Sequence, residues 1–325
     1  MIKVDRLFDL DKKFLNYSSW SGADGIYSYK VGEVIYMYFS DTFIGDSSSD
    51  GIRQNFTLIN NSLATSYKNN ISFIFNKNPV SSVFIPSSGY LWLEDSFLED
   101  DKIFIYALNM ENDIFSSNPF EIKGVCLIET SACFKEGNKY KIHELKKDEY
   151  NVVWGIATLK EDYYYIYGYI NEYGNKKLVL KRTKDLLSDE YEYLDEGYSF
   201  CYAPSKLGVL KEHFEAESKV IKKGDYYYIA YTKDSVSSDI YLIRTKDIAK
   251  PYEEEIFLYR CEEHKGNIIT YNAKIQEGYS SFEELVISYN VNTLVNEDHK
   301  YLDIYRPRFI KVSLKEVEDE FKKSF

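Results

Sequence analysis

The chain has 325 residues, enough to bury a substantial core, and its 32 Tyr and 20 Phe against 6 Pro and 16 Gly exclude both a disordered and a collagen-like sequence. Its formal charge of −12 is spread along the whole length with no cationic track, so neither nucleic acid nor an anionic membrane is expected as a partner. No apolar run approaches the ~18 residues that span a bilayer, Cys126, Cys133, Cys201 and Cys261 form no C-x-x-C pair, and the four histidines show no zinc spacing, so packing thiols and no metal or cofactor are expected.

The N-terminal string MIKVDRLFDLDKK mixes acids with apolar residues and lacks the features of a secretory signal. As it stands the sequence reads as cytoplasmic; a trimmed leader would make the protein extracellular. Further along, Asp162–Leu186 (DYYYIYGYINEYGNKKLVLKRTKDL) resembles Asp225–Ile248 (DYYYIAYTKDSVSSDIYLIRTKDI) at an offset of 63. Looser copies centre on EVIYMYF (Glu33–Phe39), KIFIYAL (Lys102–Leu108) and ELVISYN (Glu284–Asn290), so the chain divides into five units of about sixty residues.

Each unit has room for four short strands joined by hairpins, and aromatic side chains suit a pleated surface. The expected architecture is all-β, a single five-bladed β-propeller domain with a short C-terminal helix. Blades are expected near residues 20–78, 88–146, 150–197, 213–260 and 268–312. Residues 1–8 would supply the strand that the last unit lacks and so close the ring, and 313–325 form the helix. Ser313 and Glu316 fit a capping box there, and Leu314, Val317 and Phe321 share one face. The segments GADGIYSY, YLWLED, VVWGIAT, FEAESKV and TYNAKIQ are the expected inner strands.

In the first unit a turn at Gly32 and Glu33 sets Val31 opposite Val34, and the same register sets Asp24 opposite Asp41. Facing residues on antiparallel strands have Cβ atoms about 4.5–5.5 Å apart, so like charges there are destabilising and shift one another's pKa. Two close carboxylates are what cleavage of a glycosidic bond requires, one protonating the leaving oxygen while the other attacks the sugar or activates water. The plainer alternative makes both of them turn and strand-end residues that bond backbone amides. Glu215 and Glu217 lie two apart on the inner strand of the fourth unit and point the same way, with Glu217 further in and the better third acid. Glu94 and Asp95 are adjacent, so one of them should face inward.

Trp20, Trp92 and Trp154 each sit on or just before an inner strand, where they serve either as sugar platforms or as core. Asn61, Asn272 and Arg308 are candidate partners for sugar hydroxyls. The serine-hydrolase elbow, the P-loop, the H-E-x-x-H zinc motif and the dinucleotide fingerprint are all missing.

The string W-S-G-A-D-G-I-Y-S (Trp20 to Ser28), followed by Y-F-S-D-T-F-I-G (Tyr38 to Gly45) and N-N-S-L-A (Asn60 to Ala64), resembles the opening of the bacterial unknown-function domain families 4185 and 5005. I-S-Y-N-V-N (Ile287 to Asn292) and Y-R-P-R-F-I (Tyr305 to Ile310) resemble their last blade, while the middle of the chain matches in aromatic strand pattern alone. The resemblance implies a five-bladed propeller related to endo-acting enzymes that cut D-arabinan, and more distantly to propeller glycosidases with acidic residues around the axis. Carried over by position, its motif aspartates are Asp24 and Asp41, and Ser40 stands where glycine is expected. The leading expectation is a glycoside hydrolase acting on a furanose-containing or related oligo- or polysaccharide, with Asp24 and Asp41 as the catalytic pair and Glu217 in reserve. The alternatives are a non-catalytic glycan-binding propeller and a structural propeller whose axis is plugged by side chains. Nothing in the sequence indicates an oligomeric state.

Overall fold

The computed structural model describes residues 2–15, 19–68, 70–112, 119–147 and 149–325. Among the described residues, five antiparallel sheets of four or five strands follow one another along the chain, beside two smaller ladders. The first pairs Tyr27–Val31, Val34–Phe39, Ser62–Tyr67 and Asn70–Ile74, and beyond its open end Trp20–Ala23, Thr42–Ser47 and Arg53–Ile59 form a three-stranded ladder. The second runs through Tyr90–Glu99, Lys102–Asn112, Phe120–Ser131 and Tyr140–Glu144. Sheet three has five strands, Val153–Lys160, Tyr164–Glu172, Asn175–Thr183, Glu192–Leu194 and Phe200–Cys201. Sheet four consists of Val220–Lys223, Tyr226–Thr232, Asp239–Thr245 and Glu255–Arg260. In the fifth, Ile268–Ile275, Glu284–Thr293 and Arg306–Ser313 are joined at the outer edge by Val4–Arg6, with Val4 facing Val312.

Tyrosine-rich strands form these sheets because both of their faces are covered. Five apolar clusters lie between neighbouring sheets, and one of them, containing Phe14, Met37, Val286 and Phe309, joins the first sheet to the fifth. A middle strand such as Lys102–Asn112 is therefore buried along most of its length and does not alternate. The Tyr27–Tyr38 and Tyr29–Tyr36 pairs stack across one hairpin at 5.3 and 5.4 Å. Most of the aromatic excess is thus packing between sheets.

The C-terminal helix, Leu314–Ser324, buries Val317 and Phe321 and packs on Glu255–Arg260 of sheet four and Arg306–Ser313 of sheet five. The expected capping box does not form. Ser313 makes no side-chain cap bond, and Glu316 instead accepts the backbone N–H of Lys3 at 2.9 Å. This bond ties the helix to the N-terminal edge strand. No helix among the described residues is long and apolar enough to cross a membrane.

Three inner strands break their register midway, between Leu93 and Ser96, between Trp154 and Ala157, and between Tyr271 and Lys274. Such bulges re-aim side chains, and two of them sit where carboxylates gather. Glu94 and Asp95 correct the simple alternation rule. Within the first of these bulges both are buried, Glu94 under the Tyr27 hydroxyl (3.2 Å) and Asp95 against the Thr158 N–H (2.7 Å) and Lys219 (3.0 Å).

Candidate active site

The site begins with the hairpin of the first sheet. Val31 faces Val34 and Tyr27 faces Tyr38, and past an unpaired stretch Ala23 faces Thr42 in the neighbouring ladder; within that stretch the Asp24 N–H donates to the Asp41 carbonyl at 3.1 Å and the Asp24 carbonyl accepts the Ser40 N–H at 3.0 Å. The two aspartates are therefore opposed, as the turn position predicts. Gly25 has φ +57°, and a Cβ there would lie 2.6 Å from the Ser40 hydroxyl, so this turn of the strand demands glycine. Ser40 is used structurally, its hydroxyl accepting the Leu93 N–H at 2.9 Å and thereby fixing the hairpin to the second sheet.

Each aspartate has one oxygen engaged by donors. Asp24 Oδ2 accepts the hydroxyls of Tyr271 and Tyr305, both at 2.9 Å. Asp41 Oδ1 accepts Asn60 Nδ2 and Trp92 Nε1, again both at 2.9 Å. No hydrogen bond from a described residue reaches Asp24 Oδ1 or Asp41 Oδ2. One oxygen of each is left for a ligand.

Glu217 joins them from the fourth sheet by a route that differs from the expected one. The inner strand there starts only at Val220, and the preceding segment is irregular, so alternation does not govern Glu215 and Glu217. Glu215 turns into the core and accepts the Thr232 N–H at 3.0 Å, away from the aspartates. Glu217 is bonded on both oxygens, by Asn272 Nδ2 at 2.7 Å and by Lys274 Nζ. Lys274 is fully buried and also lies 3.9 Å over the Tyr27 ring. The bulge at Asn272 and Ala273 lets Tyr271 reach Asp24 while Asn272 and Lys274 reach Glu217.

The electrostatics follow from crowding. Burial, followed by the charges of Asp41 and Glu217, pushes the Asp24 carboxyl well above the usual carboxylate range, against the pull of its two tyrosine donors. Burial pushes Asp41 up to about 6, opposed by Asn60 and Trp92 and reinforced by Glu217. Burial and then Glu217 likewise push Glu94 well up, with Lys274 opposing. Like charges gathered in a buried site thus favour the protonated form of each carboxyl.

Among the other residues expected to bind substrate, Trp92 and Asn272 stand in the cluster, whereas four belong elsewhere. Trp20 is completely buried, stacked 4.2 Å from Phe73, because a large ring at the junction of sheets one and five fills core volume. Trp20→Ala should accordingly cost about 3–5 kcal/mol of stability in a urea titration and leave the acid cluster assembled. Asn61 is also completely buried and bolts sheet one to the start of sheet two, donating to the Phe84 and Leu91 carbonyls and accepting the Phe84 N–H. Arg308 is buried against Asp303 (3.0 Å) and Glu263 (3.5 Å), an ion-pair network of the last sheet. Trp154 packs between sheets two and three with Lys181 Nζ 4.5 Å from its ring, and borders a separate cavity.

Sequence reasoning missed Tyr271, Tyr305, Asn60 and Lys274. Asn60 and Tyr271 adjoin the expected Asn61 and Asn272, and Tyr305 opens the string Y-R-P-R-F-I three residues before the expected Arg308. Lys274 carried no signal. Among the described residues no group of three or more His, Cys, Asp or Glu side chains is placed to hold a metal ion.

A family model described as a domain of unknown function (DUF5005) matches residues 8–315. No curated protein matches the chain. Among solved structures, a Bacteroides ovatus ATCC 8483 protein provisionally described as a hydrolase superposes with a TM-score of 0.77 at 21% identity, covering 95% of this chain and 90% of that one. The α-L-arabinofuranosidase CtGH43 from Clostridium thermocellum ATCC 27405 gives 0.50 at 13% identity, covering 89% and 88%. A mutant of the GH43 protein BlXynB from Bacillus licheniformis gives 0.50 at 12% identity, covering 97% of this chain and 57% of that one. At these identities the likeness establishes a fold, nearly all β and of the glycosidase propeller type.

Proposed function

We propose, from the premise that the chain belongs to the DUF5005 family and has a glycosidase-type fold, that it is a glycoside hydrolase cleaving a furanose-containing or related glycan in the manner of an arabinanase. The carrying observation is that Asp24 and Asp41, opposed on one hairpin, meet the distant Glu217 through adjacent residues, Tyr271 bonding Asp24 and Asn272 bonding Glu217, and that burial pushes both aspartates upward. In this reading the five sheets are the blades of one closed ring, and Val4–Arg6 completes the last of them.

Within that reading Asp24 and Asp41 are the reacting pair, since each keeps one oxygen clear of protein donors. Asp24, the more strongly raised, carries the proton to the leaving oxygen, and Asp41 in its ionised form attacks the sugar or activates water. Glu217, saturated by Asn272 and Lys274, supplies the negative charge that raises both. Trp92 holds Asp41 and offers its ring to a sugar face.

A reducing-sugar release screen over arabinans and other plant and bacterial glycans, run beside Asp24→Asn and Asp41→Asn, tests the proposal. Cleavage lost in both variants supports it, and cleavage untouched by either refutes the assignment. Binding without cleavage by the parent protein identifies the alternative, a glycan-binding propeller.

Asp41 also predicts a stability profile. Because its folded value of about 6 lies above the ordinary 3.8, the native state binds more protons than the unfolded chain between those limits. Its contribution is favourable in acid and is lost as pH rises through about 6. Asp41→Asn should therefore match the parent near pH 4 and exceed it above pH 6 by on the order of 1 kcal/mol, measured by denaturant titration at both pH values.

A further inference from the structure

Asp24 is reached by a chain of hydrogen bonds that starts well away from it. The Thr293 N–H donates to Asn292 Oδ1 at 2.8 Å, and a backbone N–H can only donate, so the amide keeps its oxygen on that side and turns its nitrogen to Tyr271. Asn292 Nδ2 donates to the Tyr271 hydroxyl at 3.3 Å, and the one proton of that hydroxyl is left for Asp24 Oδ2 at 2.9 Å. His299 Nε2 also lies 2.8 Å from Asn292 Oδ1. Since that oxygen can only accept, Nε2 carries the proton. Every donor from His299 through Asn292 and Tyr271 therefore points at Asp24.

His299 is itself firmly placed. It belongs to the short 3-10 helix Asn296–Lys300, and Arg53 Nη1 donates to the carbonyls of His299 and Tyr301. Arg53 also reaches the Ile304 carbonyl (2.7 Å) and the carbonyl of Ser21 (3.1 Å), on the strand that leads into Asp24. The His299 ring packs against Phe43 and Tyr305, with centroids at 5.6 and 5.7 Å. Tyr305 is the second donor to Asp24 Oδ2. His299 thus touches one donor of Asp24 with its ring and orders the other through Asn292.

A carboxyl oxygen whose two lone pairs both accept O–H donors has no place left for a proton. With Tyr271 and Tyr305 both donating to Oδ2, the acid proton belongs on Oδ1, the oxygen that no described residue bonds. A Tyr271 hydroxyl turned the other way would accept from Oδ2 and draw the proton off the ligand side.

We propose that Asn292 and His299 are positioning residues that fix the direction of the Tyr271 hydroxyl and thereby hold the transferable proton of Asp24 on Oδ1, where it meets the leaving oxygen of a glycan. The proposal rests on the reading of Asp24 as the acid and deepens it. Besides its tyrosines Asp24 faces Asp41 and Glu217, and His299 faces Arg53, Asp298 and Tyr305, all of which the test leaves unaltered.

Ring-nitrogen NMR of the isotope-labelled parent protein reads the first link. His299, assigned by the signal lost in His299→Gln, is expected as the Nε2–H tautomer at about pH 8, and the Nδ1–H tautomer would overturn the chain. Carboxyl-carbon NMR reads the Asp24 midpoint with no need for turnover. Asn292→Leu should raise it by about one pH unit, because the released Tyr271 hydroxyl can accept from the protonated carboxyl. His299→Phe keeps a ring against Phe43 and Tyr305 but removes the donor, so it should shift the midpoint the same way by less. His299→Gln keeps a donor nitrogen and should restore the parent value. A space-filling His299 gives the opposite order, with the phenylalanine variant silent and the glutamine variant shifted; that order, or a midpoint unmoved by Asn292→Leu, overturns the proposal. On a cleaved glycan Asn292→Leu should lower kcat about tenfold with KM nearly unchanged, and move the alkaline limb of the pH–rate profile to higher pH. Shifted midpoints in a protein that cleaves no glycan remove the hydrolase reading and keep the chain. Unshifted midpoints beside cleavage that depends on Asp24 do the reverse.

Discussion

Asp24→Asn is expected to lower kcat on a cleaved glycan by roughly 10³-fold while leaving KM nearly unchanged. Asparagine is isosteric, and its carbonyl can still accept the Tyr271 and Tyr305 hydroxyls, so the pocket should stay assembled. What is lost is the exchangeable proton on the oxygen left clear for the ligand. A fall of less than tenfold in steady-state assays would remove Asp24 from the chemistry. Glu217→Gln offers a contrast. Because the Glu217 charge raises both Asp24 and Asp41, neutralising it should move the pH–rate profile toward lower pH. A merely structural Glu217 would lower the amount of folded protein without moving the profile.

Lys274→Met is expected to destabilise the fold by about 3–5 kcal/mol, the range seen when one partner of a buried ion pair is removed. Lys274 is fully buried, bonds Glu217 and lies over Tyr27, and its charge opposes the crowding felt by Glu94. Without it, Glu217 keeps Asn272 as its one hydrogen-bond partner among the described residues and faces Glu94 and Asp24 with no described cation in contact. Adding Glu217→Gln to Lys274→Met should recover a large part of the loss, which denaturant titration of the four proteins of the cycle measures. A double variant as unstable as Lys274→Met alone would assign the role of Lys274 to packing beneath Tyr27, independent of charge.

The legible parts of this molecule are its local ones. The hairpin that opposes Asp24 to Asp41 has a two-residue turn at Gly32 and Glu33; the period-two pairing runs from there to Tyr27 and Tyr38, and after an unpaired stretch that contains both aspartates the same register returns at Ala23 and Thr42. Trp92 and Asn272, expected on inner strands, bond Asp41 and Glu217. The same alternation failed at Glu94 and Asp95, where a bulge buries both, and at Glu215 and Glu217, where the backbone is not yet a strand. Trp20, Asn61 and Arg308 had the chemistry of sugar contacts, but each is spent on joining elements of the fold.

By itself the sequence determined the repeat, the all-β character and the opposed aspartates, because hydrophobic periodicity, turn chemistry and pairing across one hairpin act over a few residues. The tertiary structure alone decided which donors meet those aspartates. Tyr271 and Tyr305 reach Asp24 from 247 and 281 residues away, and Lys274 reaches Glu217 across 57. Such meetings depend on how sheets stack and where bulges turn a side chain, and burial in that stacked interior is what moves the carboxyls upward. A pattern of residue types along one chain contains neither quantity.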